Sequence, residues 1–324
     1  MILHLLLGVR KLSNNIEVLV SNTKKVIDSF PPLEIKAKGR GRVYVDDSGT
    51  VYPSVTTVLN IINKPALIPW AKKQSLEKVR YVLQNHVMNG TLPQIKNTDD
   101  IEAIISEASK TPDQALQLAG DFGSQAHAMI DRIIKARINN EKDPKITPDL
   151  SVVMKSFEIF CETYKPVFVA SEVMVCVNHD SIKTVTGYHM PVLRSGYAGT
   201  IDAIALVKSH YQNYYKQDSH TAIDIPVVID FKTGKGIYDE HRLQVGAYSE
   251  ALALRNISPN HNALGDFAFN EAWVVKLSKD RDDPTPSMER VRVAPARDAF
   301  LDALNLHTQI KEKLWMEQNI YKKE

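Results

Sequence analysis

Five apolar runs rich in β-branched and aromatic residues follow one another in the second half of the chain and predict strands. They read PVFVASEVMVCV, GYAGTIDAIALV, PVVIDFKTG, EAWVVKL and RVRVAP. Loops separate them, together with one strongly helical stretch, DEHRLQVGAYSEALALR, which follows the third run. This alternation predicts an α/β fold in which helices flank a mixed sheet core over about residues 166–295.

In the first half of the chain, apolar residues recur at the spacing of a helix. Apolar positions predict helices over residues 69–82, 99–138 and 150–164, and we expect a helical N-terminal lobe over about residues 54–165. The clearest stripe is formed by Phe122, Ala126, Met129, Ile130, Ile133 and Ile134. A C-terminal helix is predicted over about residues 296–320.

The stretch before this lobe predicts a hairpin, because β-branched and aromatic residues flank Asp-Asp-Ser-Gly at residues 46–49. A helix should follow, capped by the hydroxyl of Ser54 or Thr56. Residues 1–40 are interpreted as a leader or a targeting segment. The lack of acids before Glu17 suits an organelle presequence, and an N-terminal strand or helix explains the same residues equally well.

Composition narrows the function only slightly. The chain has 324 residues and a formal net charge of +2, so any site for a polyanion must be local. Cys161 and Cys176 are too few for a disulfide framework or a thiolate zinc site, and we interpret them as buried thiols.

Two acids lie within or at the end of apolar strands. Asp202 follows Gly-Thr-Ile, and Asp230 follows Val-Val-Ile. If the two strands are neighbours, the carboxylates converge at one edge of the sheet, where they repel each other unless a cation lies between them. Oxygen ligands of this kind suit Mg²⁺ or Mn²⁺. The simpler interpretation is that Asp202 closes a turn and that the Asp-x-Lys triplet arises by chance.

Lys232 adds a base to this edge. Residues two apart on a strand point to the same side, so Asp230 and Lys232 should face one cleft while Phe231 packs behind them. An ammonium there can hold an attacking water, help to deprotonate it and stabilise charge on a phosphate. These are the parts that metal-assisted phosphodiester hydrolysis requires.

Four further residues fit the same site. His127 can supply a nitrogen ligand, Glu172 a further carboxylate, and Gln244 with Tyr248 two hydrogen-bonding groups on one helix face. Each also has an ordinary explanation: a structural histidine, an edge-strand charge, and a solvated helix face.

Four motifs in order resemble the RecB-like branch of the PD-(D/E)xK nuclease superfamily. They are GSQAH at residues 123–127, GTID at 199–202, DFK at 230–232 and QVGAY at 244–248. Within that branch, YPSVTTVLNII at residues 52–62 is similar to the entry segment of the mitochondrial genome maintenance exonuclease family.

The resemblance implies a restriction-endonuclease-like fold for residues 41–324. It implies Mg²⁺ or Mn²⁺ held by His127, Asp202, Asp230 and the backbone carbonyl of Phe231, with Glu172 as a further ligand. Lys232 would be the catalytic base or charge stabiliser. Gln244 and Tyr248 would position the site or touch the nucleic acid backbone.

The expected function is therefore a metal-dependent nuclease, acting as an exonuclease on single-stranded DNA or flaps in mitochondrial DNA maintenance or repair. The alternatives are a structure-specific endonuclease and a binding module without activity, and an intracellular location in the cytoplasm or nucleus. No membrane is expected as a partner. Candidate contacts to the strand are Trp70, Lys72, Lys73, Tyr197, Lys235 and Arg242.

Overall fold

The computed structural model of the chain divides into two compact units, which are described separately. The smaller one is Asn63–Gln125, and the larger one combines the chain before and after it. The structure describes residues 16–38, 41–88, 98–178, 196–209, 223–256, 264 and 268–312.

A five-stranded mixed sheet is the centre of the larger unit. Its strands, in spatial order, are β4 (Val167–Val177), β5 (Tyr197–Ser209), β6 (Ile223–Lys232), β7 (Glu271–Lys276) and β8 (Ser287–Arg292). Neighbours are antiparallel except β6 and β7, which are parallel. All five predicted strands are confirmed. The middle strands are buried on both faces, which explains why they are continuous apolar runs.

Helices cover both faces of this sheet. On one face, α5 (Ser151–Tyr164) packs Phe157 and Phe160 edge-on against Phe231, at ring-centroid distances of 5.4 and 5.8 Å. On the other face, α6 (Asp239–Asn256) and α7 (Val293–Glu312) share an apolar cluster with the strands. The mixed α/β class predicted from the sequence is therefore confirmed.

A smaller antiparallel sheet precedes this core. It consists of β1 (Leu33–Lys38), β2 (Gly41–Asp46) and β3 (Val51–Pro53), and β2 and β3 form the predicted hairpin. The short helix α2 (Val55–Leu59) follows, and the Ser54 hydroxyl accepts a hydrogen bond from Thr57 N. Ser54, rather than Thr56, is the cap.

Residues 16–38 lie within the segment predicted as a leader, and they are part of the fold. Helix α1 (Ile16–Asp28) buries Leu19 and Val26 in the main apolar cluster. Residues 1–15 and 39–40 of that segment lie outside the described residues, and the targeting role stays a prediction.

The smaller unit consists of α3 (Leu67–Met88) and the first part of α4 (Thr98–Ile138), which continues into the larger unit. Among its described side chains, only Ala108 and Pro112 are buried. The helical elements thus extend over much of the predicted lobe, whereas the compact unit is limited to residues 63–125.

One predicted boundary is wrong. The run RVRVAP was expected to be strand through Pro295, but β8 ends at Arg292 and α7 begins at Val293. A proline is tolerated in the first turn of a helix because its missing N–H would have no partner there, so Pro295 does not exclude the helix. Residues 313–320 of the predicted helix lie outside the described residues.

Candidate active site

Two carboxylates meet where β5 and β6 run side by side. The β5–β6 ladder ends with the pair Ala203 and Ile229, and Asp202 and Asp230 are the next residues on the two strands. Beyond that pair, the Asp202 Oδ2 accepts a hydrogen bond of 2.7 Å from Phe231 N. The condition set by the sequence, that these strands be neighbours, is satisfied.

Lys232 lies on the same side as Asp230. Its Nζ is 2.7 Å from Asp230 Oδ2 and 3.0 Å from Oδ1, and it also donates to Gln244 Oε1 at 3.2 Å. Phe231, between the two charges, is buried against α5 on the opposite face. The alternation predicted from the Asp-Phe-Lys triplet is confirmed.

His127 approaches Asp202 from α4. Its Nδ1 lies 3.2 Å from Asp202 Oδ1. The helix is fixed there by its apolar stripe, of which Phe122 is half-buried and the following members are buried: Ala126, Met129, Ile130, Ile133 and Ile134. Asp131, one turn after His127, accepts a hydrogen bond of 2.6 Å from the Ser171 hydroxyl. Two polar contacts therefore join α4 to β4 and β5.

Glu172 completes a cluster with His127 and Asp202. It lies on β4 between the pairs Ser171–Ala203 and Val173–Ile201, level with Asp202. Its φ of 50° is in the left-handed region, which costs a non-glycine residue about 1–3 kcal/mol. One nitrogen or oxygen from each of Glu172, His127 and Asp202 lies within 4.8 Å of the others.

The acids of the site have pKa values that differ because their surroundings differ. Burial raises the pKa of Asp230 to about 6, with Lys232 opposing and Asp202 adding to the rise. Burial also acts to raise the pKa of Asp202, but His127 and Lys232 outweigh it, so that pKa is lowered. Asp202 is thus the carboxylate that stays ionised most readily.

The pKa values of the other charged groups also depend on burial and on neighbouring charges. Burial alone would lower the pKa of His127, but Asp202 and Asp230 reverse the effect and raise it. Burial likewise opposes the charge on Lys232, and Asp230 with Asp202 raise that pKa. The pKa of Glu172 is raised by burial and then by Asp202 and Asp131. The protonation state of each group therefore depends on the charge of its neighbours.

The donor atoms fit a hard or borderline divalent cation. They are carboxylate oxygens and one imidazole nitrogen, a set that suits Mn²⁺ and also Mg²⁺. Asp230 Oδ2 is buried, and Lys232 Nζ lies 2.7 Å away as its ionic partner. Leu277 N bonds to Lys232 O on the β7 side, so the alternation of the ladder directs the Phe231 carbonyl towards β5 and Asp202.

Gln244 and Tyr248 lie behind Lys232 and are buried. Gln244 Nε2 donates to the Tyr248 hydroxyl at 3.2 Å, while its Oε1 accepts from Lys232. A Cβ on Gly199 would lie 2.4 Å from Tyr248 Cε1, so the ring fits only because residue 199 has no side chain. Tyr248 is 1% exposed. Of the two roles the resemblance implied, burial favours positioning over contact with a nucleic acid backbone.

Sequence reasoning missed Tyr44. This residue of β2 is fully buried, and its hydroxyl lies 2.9 Å from Thr200 Oγ1, inside the Gly-Thr-Ile-Asp segment. A tyrosine in a hairpin carries no signal for such a contact, because the partner is 156 residues away. The position of Asp131 near the site could have been predicted, because it lies one turn after His127 on the same side of the helix.

One candidate contact to a nucleic acid strand, Tyr197, needs correction. Tyr197 is fully buried against Phe300, and its hydroxyl donates to Ala247 O, so it cannot stack on a base. Arg242 is engaged with Glu289 and Asp239. Of the remaining candidates, Trp70 is half-buried and Lys72, Lys73 and Lys235 are exposed.

Comparison with protein-family models and with curated protein sequences gave no match to this chain. The resemblance to nucleases therefore rests on the four motifs. Among the described residues, no helix combines the length and the apolar character that crossing a bilayer requires.

Proposed function

We propose that this protein is a metal-dependent nuclease with the restriction-endonuclease-like fold of the RecB-like PD-(D/E)xK enzymes. The observation that carries the proposal is the convergence of Asp202, Asp230 and Lys232 at adjoining strand positions, with His127 beside them. A sheet edge that merely faced solvent would have no need to bury Asp230 and Lys232 together. The proposed activity is exonucleolytic cleavage of single-stranded DNA or flaps, in mitochondrial DNA maintenance or repair.

The residues that would hold Mg²⁺ or Mn²⁺ are His127, Asp202, Asp230 and the carbonyl of Phe231, with Glu172 as a further ligand. The cation would supply Lewis acidity to the phosphate and lower the pKa of water. Glu172 is supported by its distance to His127 and Asp202, which is compatible with shared ligation.

Lys232 is the residue that we assign to the attacking water. Its ammonium is oriented by Asp230 and by the Gln244 amide, so it does not have to give up rotational freedom when substrate arrives. From that position Nζ can hydrogen-bond a water and offset the negative charge that develops on a phosphate oxygen.

Gln244 and Tyr248 act through Lys232 as positioning residues. The chain of contacts runs from Tyr248 to Gln244 and then to Lys232 Nζ, and the Tyr248 ring is fixed against Gly199. This arrangement joins three of the four motifs into one packed group. It supports a site whose geometry is set before substrate binds.

The proposal is tested by incubating a labelled single strand, a circular single strand and a duplex with the purified protein. Each is incubated with Mg²⁺, with Mn²⁺ and with EDTA. We expect metal-dependent cleavage of the linear strand and at least a hundredfold slower cleavage by Lys232→Ala, in the range seen when a charge-stabilising group is removed. Lys208→Ala is the matched control, because Lys208 also pairs with an aspartate of β6, at 2.6 Å, but lies far along the ladder.

Different outcomes separate the alternatives. Cleavage of the circle would contradict a strict exonuclease and favour an endonuclease. Metal-independent binding of the strand without cleavage under any condition would contradict the enzyme and favour a binding module. Equal activity of wild type and Lys232→Ala would remove Lys232 from the mechanism.

A further inference from the structure

One face of α6 leads from the buried site to solvent. His241, Gln244 and Tyr248 are spaced three and four residues apart and so lie on one line of the helix. Tyr248 and Gln244 are buried, His241 is half-buried, and Tyr238, immediately before the helix, is 49% exposed. The helix face that carries Gln244, the partner of Lys232, therefore continues towards solvent and reaches the exposed ring of Tyr238.

Tyr238 is held in a defined orientation in spite of its exposure. Its ring centroid lies 5.5 Å from that of His241, at an interplanar angle of 63°. Tyr238 N donates to His241 Nδ1 at 3.2 Å, and His241 N donates back to Tyr238 O at 3.0 Å. The ring also lies over Gly236, where an added Cβ would be 3.6 Å from Tyr238 Cζ. A ring fixed in this way loses little freedom on binding.

The charges around Tyr238 favour a base over a phosphate. Asp239 and Glu240 form the first turn of α6, and Glu240 is near enough to Lys232 to affect that ammonium. Asp239 is paired with Arg242, and a phosphate placed beside the Glu240 carboxylate would be repelled. A nucleobase is uncharged and has a π-face that stacks on tyrosine. The exposed Lys235, three residues before Tyr238, offers a cation for the adjoining phosphate.

We infer that Tyr238, braced by His241, is a stacking platform for a nucleobase of a single strand next to the phosphate at Lys232. The inference rests on the proposed nuclease function and adds a subsite to it. Unpaired bases present a π-face for stacking, whereas the bases of a duplex are already stacked. The platform thus gives a physical reason for a preference for single strands.

The test measures binding of fluorescein-labelled oligothymidylate by anisotropy, in EDTA so that the strand stays intact. An abasic deoxyribose-phosphate oligomer of the same length is the second probe. We expect Tyr238→Ala to bind oligothymidylate about five- to a hundredfold more weakly than wild type, and Tyr238→Phe to bind nearly as well as wild type. On the abasic probe, wild type and Tyr238→Ala should bind alike. Leu306→Ala is the matched control, because Leu306 on α7 has the same exposure of 49%.

Other outcomes separate the platform from the nuclease. Unchanged binding by Tyr238→Ala, an equal loss on the abasic probe, or wild-type protein that binds neither probe would overturn the inference. Cleavage of the same strand by wild type in Mn²⁺ is measured in parallel. Base-dependent binding through Tyr238 without any cleavage would support the platform and contradict the proposed enzyme.

Discussion

The contact between Gly199 and Tyr248 makes a strong prediction about how the motifs depend on each other. In Gly199→Ala, the new Cβ would lie 2.4 Å from Tyr248 Cε1 and 3.0 Å from Cζ and the hydroxyl oxygen. Both residues are buried, and the Tyr248 hydroxyl is tied to Gln244. The ring must therefore retreat by about 1 Å, from 2.4 Å to the ordinary contact distance of 3.4 Å, within packed surroundings.

Overpacking of this kind costs about 1–3 kcal/mol in free energy of unfolding. For a domain of this size the loss corresponds to a fall in Tm of roughly 2–10 °C. The same displacement moves Gln244, which orients Lys232 Nζ. Since a misplacement of about 1 Å can lower a rate by about a hundredfold, we expect kcat to fall by more than the change in stability explains.

Urea unfolding and single-turnover cleavage of the labelled strand check both effects. Gly234→Ala is the control, because a Cβ there meets no heavy atom within 4 Å. In a Tyr248→Leu background, which removes the ring, Gly199→Ala should cost clearly less stability than in wild type. Equal losses in the two backgrounds, or a loss no larger than that of Gly234→Ala, would refute the proposed coupling.

Three further changes test other parts of the site. In EDTA, the stability of wild type relative to Asp230→Asn should rise as the pH falls from 7 towards 4. The folded-state pKa of Asp230, about 6, exceeds the ordinary 3.8, so the cost of the buried charge disappears when Asp230 is protonated. Urea titrations at several pH values measure this rise. Glu172→Gly should have a free energy of unfolding about 1 kcal/mol higher than that of Glu172→Ala, and so a higher unfolding temperature, because only glycine adopts a φ of 50° without strain. Isothermal titration calorimetry should show that both variants bind Mn²⁺ more weakly than wild type. Phe231→Ala should lose about 3–5 kcal/mol in chemical denaturation, because the buried ring packs against α5.

Much of the site could be predicted because its residues follow simple periodicities. A period of two directs Asp230 and Lys232 to one face and Phe231 to the other, and the structure has them there. A spacing of four places Gln244 beside Tyr248, where the two are hydrogen-bonded. These relations are local, so the chain order alone contains them.

What the sequence could not supply depends on long-range packing. Tyr197 was predicted as a stacking residue, but a tyrosine at a strand start has the same pattern whether it faces solvent or, as here, Phe300. The left-handed conformation of Glu172 has no signal, because that region is usually marked by glycine or asparagine. Tyr44 reaches Thr200 through a separate sheet, and no local pattern connects two residues so far apart.

The charge balance of the site gives the proposed cation a physical basis that is independent of the motifs. Glu172, Asp202 and Asp230 contribute three negative charges when ionised, and Lys232 contributes one positive charge. With His127 neutral, the form in which an imidazole binds a metal, this leaves a charge of −2 in a region where Asp230 is almost fully removed from water; a proton on His127, which its raised pKa favours, reduces the excess to −1. Such an excess is costly, and a proton taken up by Asp230, whose pKa is raised to about 6, relieves only part of it. A divalent cation beside the Asp202 and Asp230 carboxylates would neutralise the whole excess. The buried charges that destabilise the folded protein at this site are therefore the same charges that would bind Mg²⁺ or Mn²⁺.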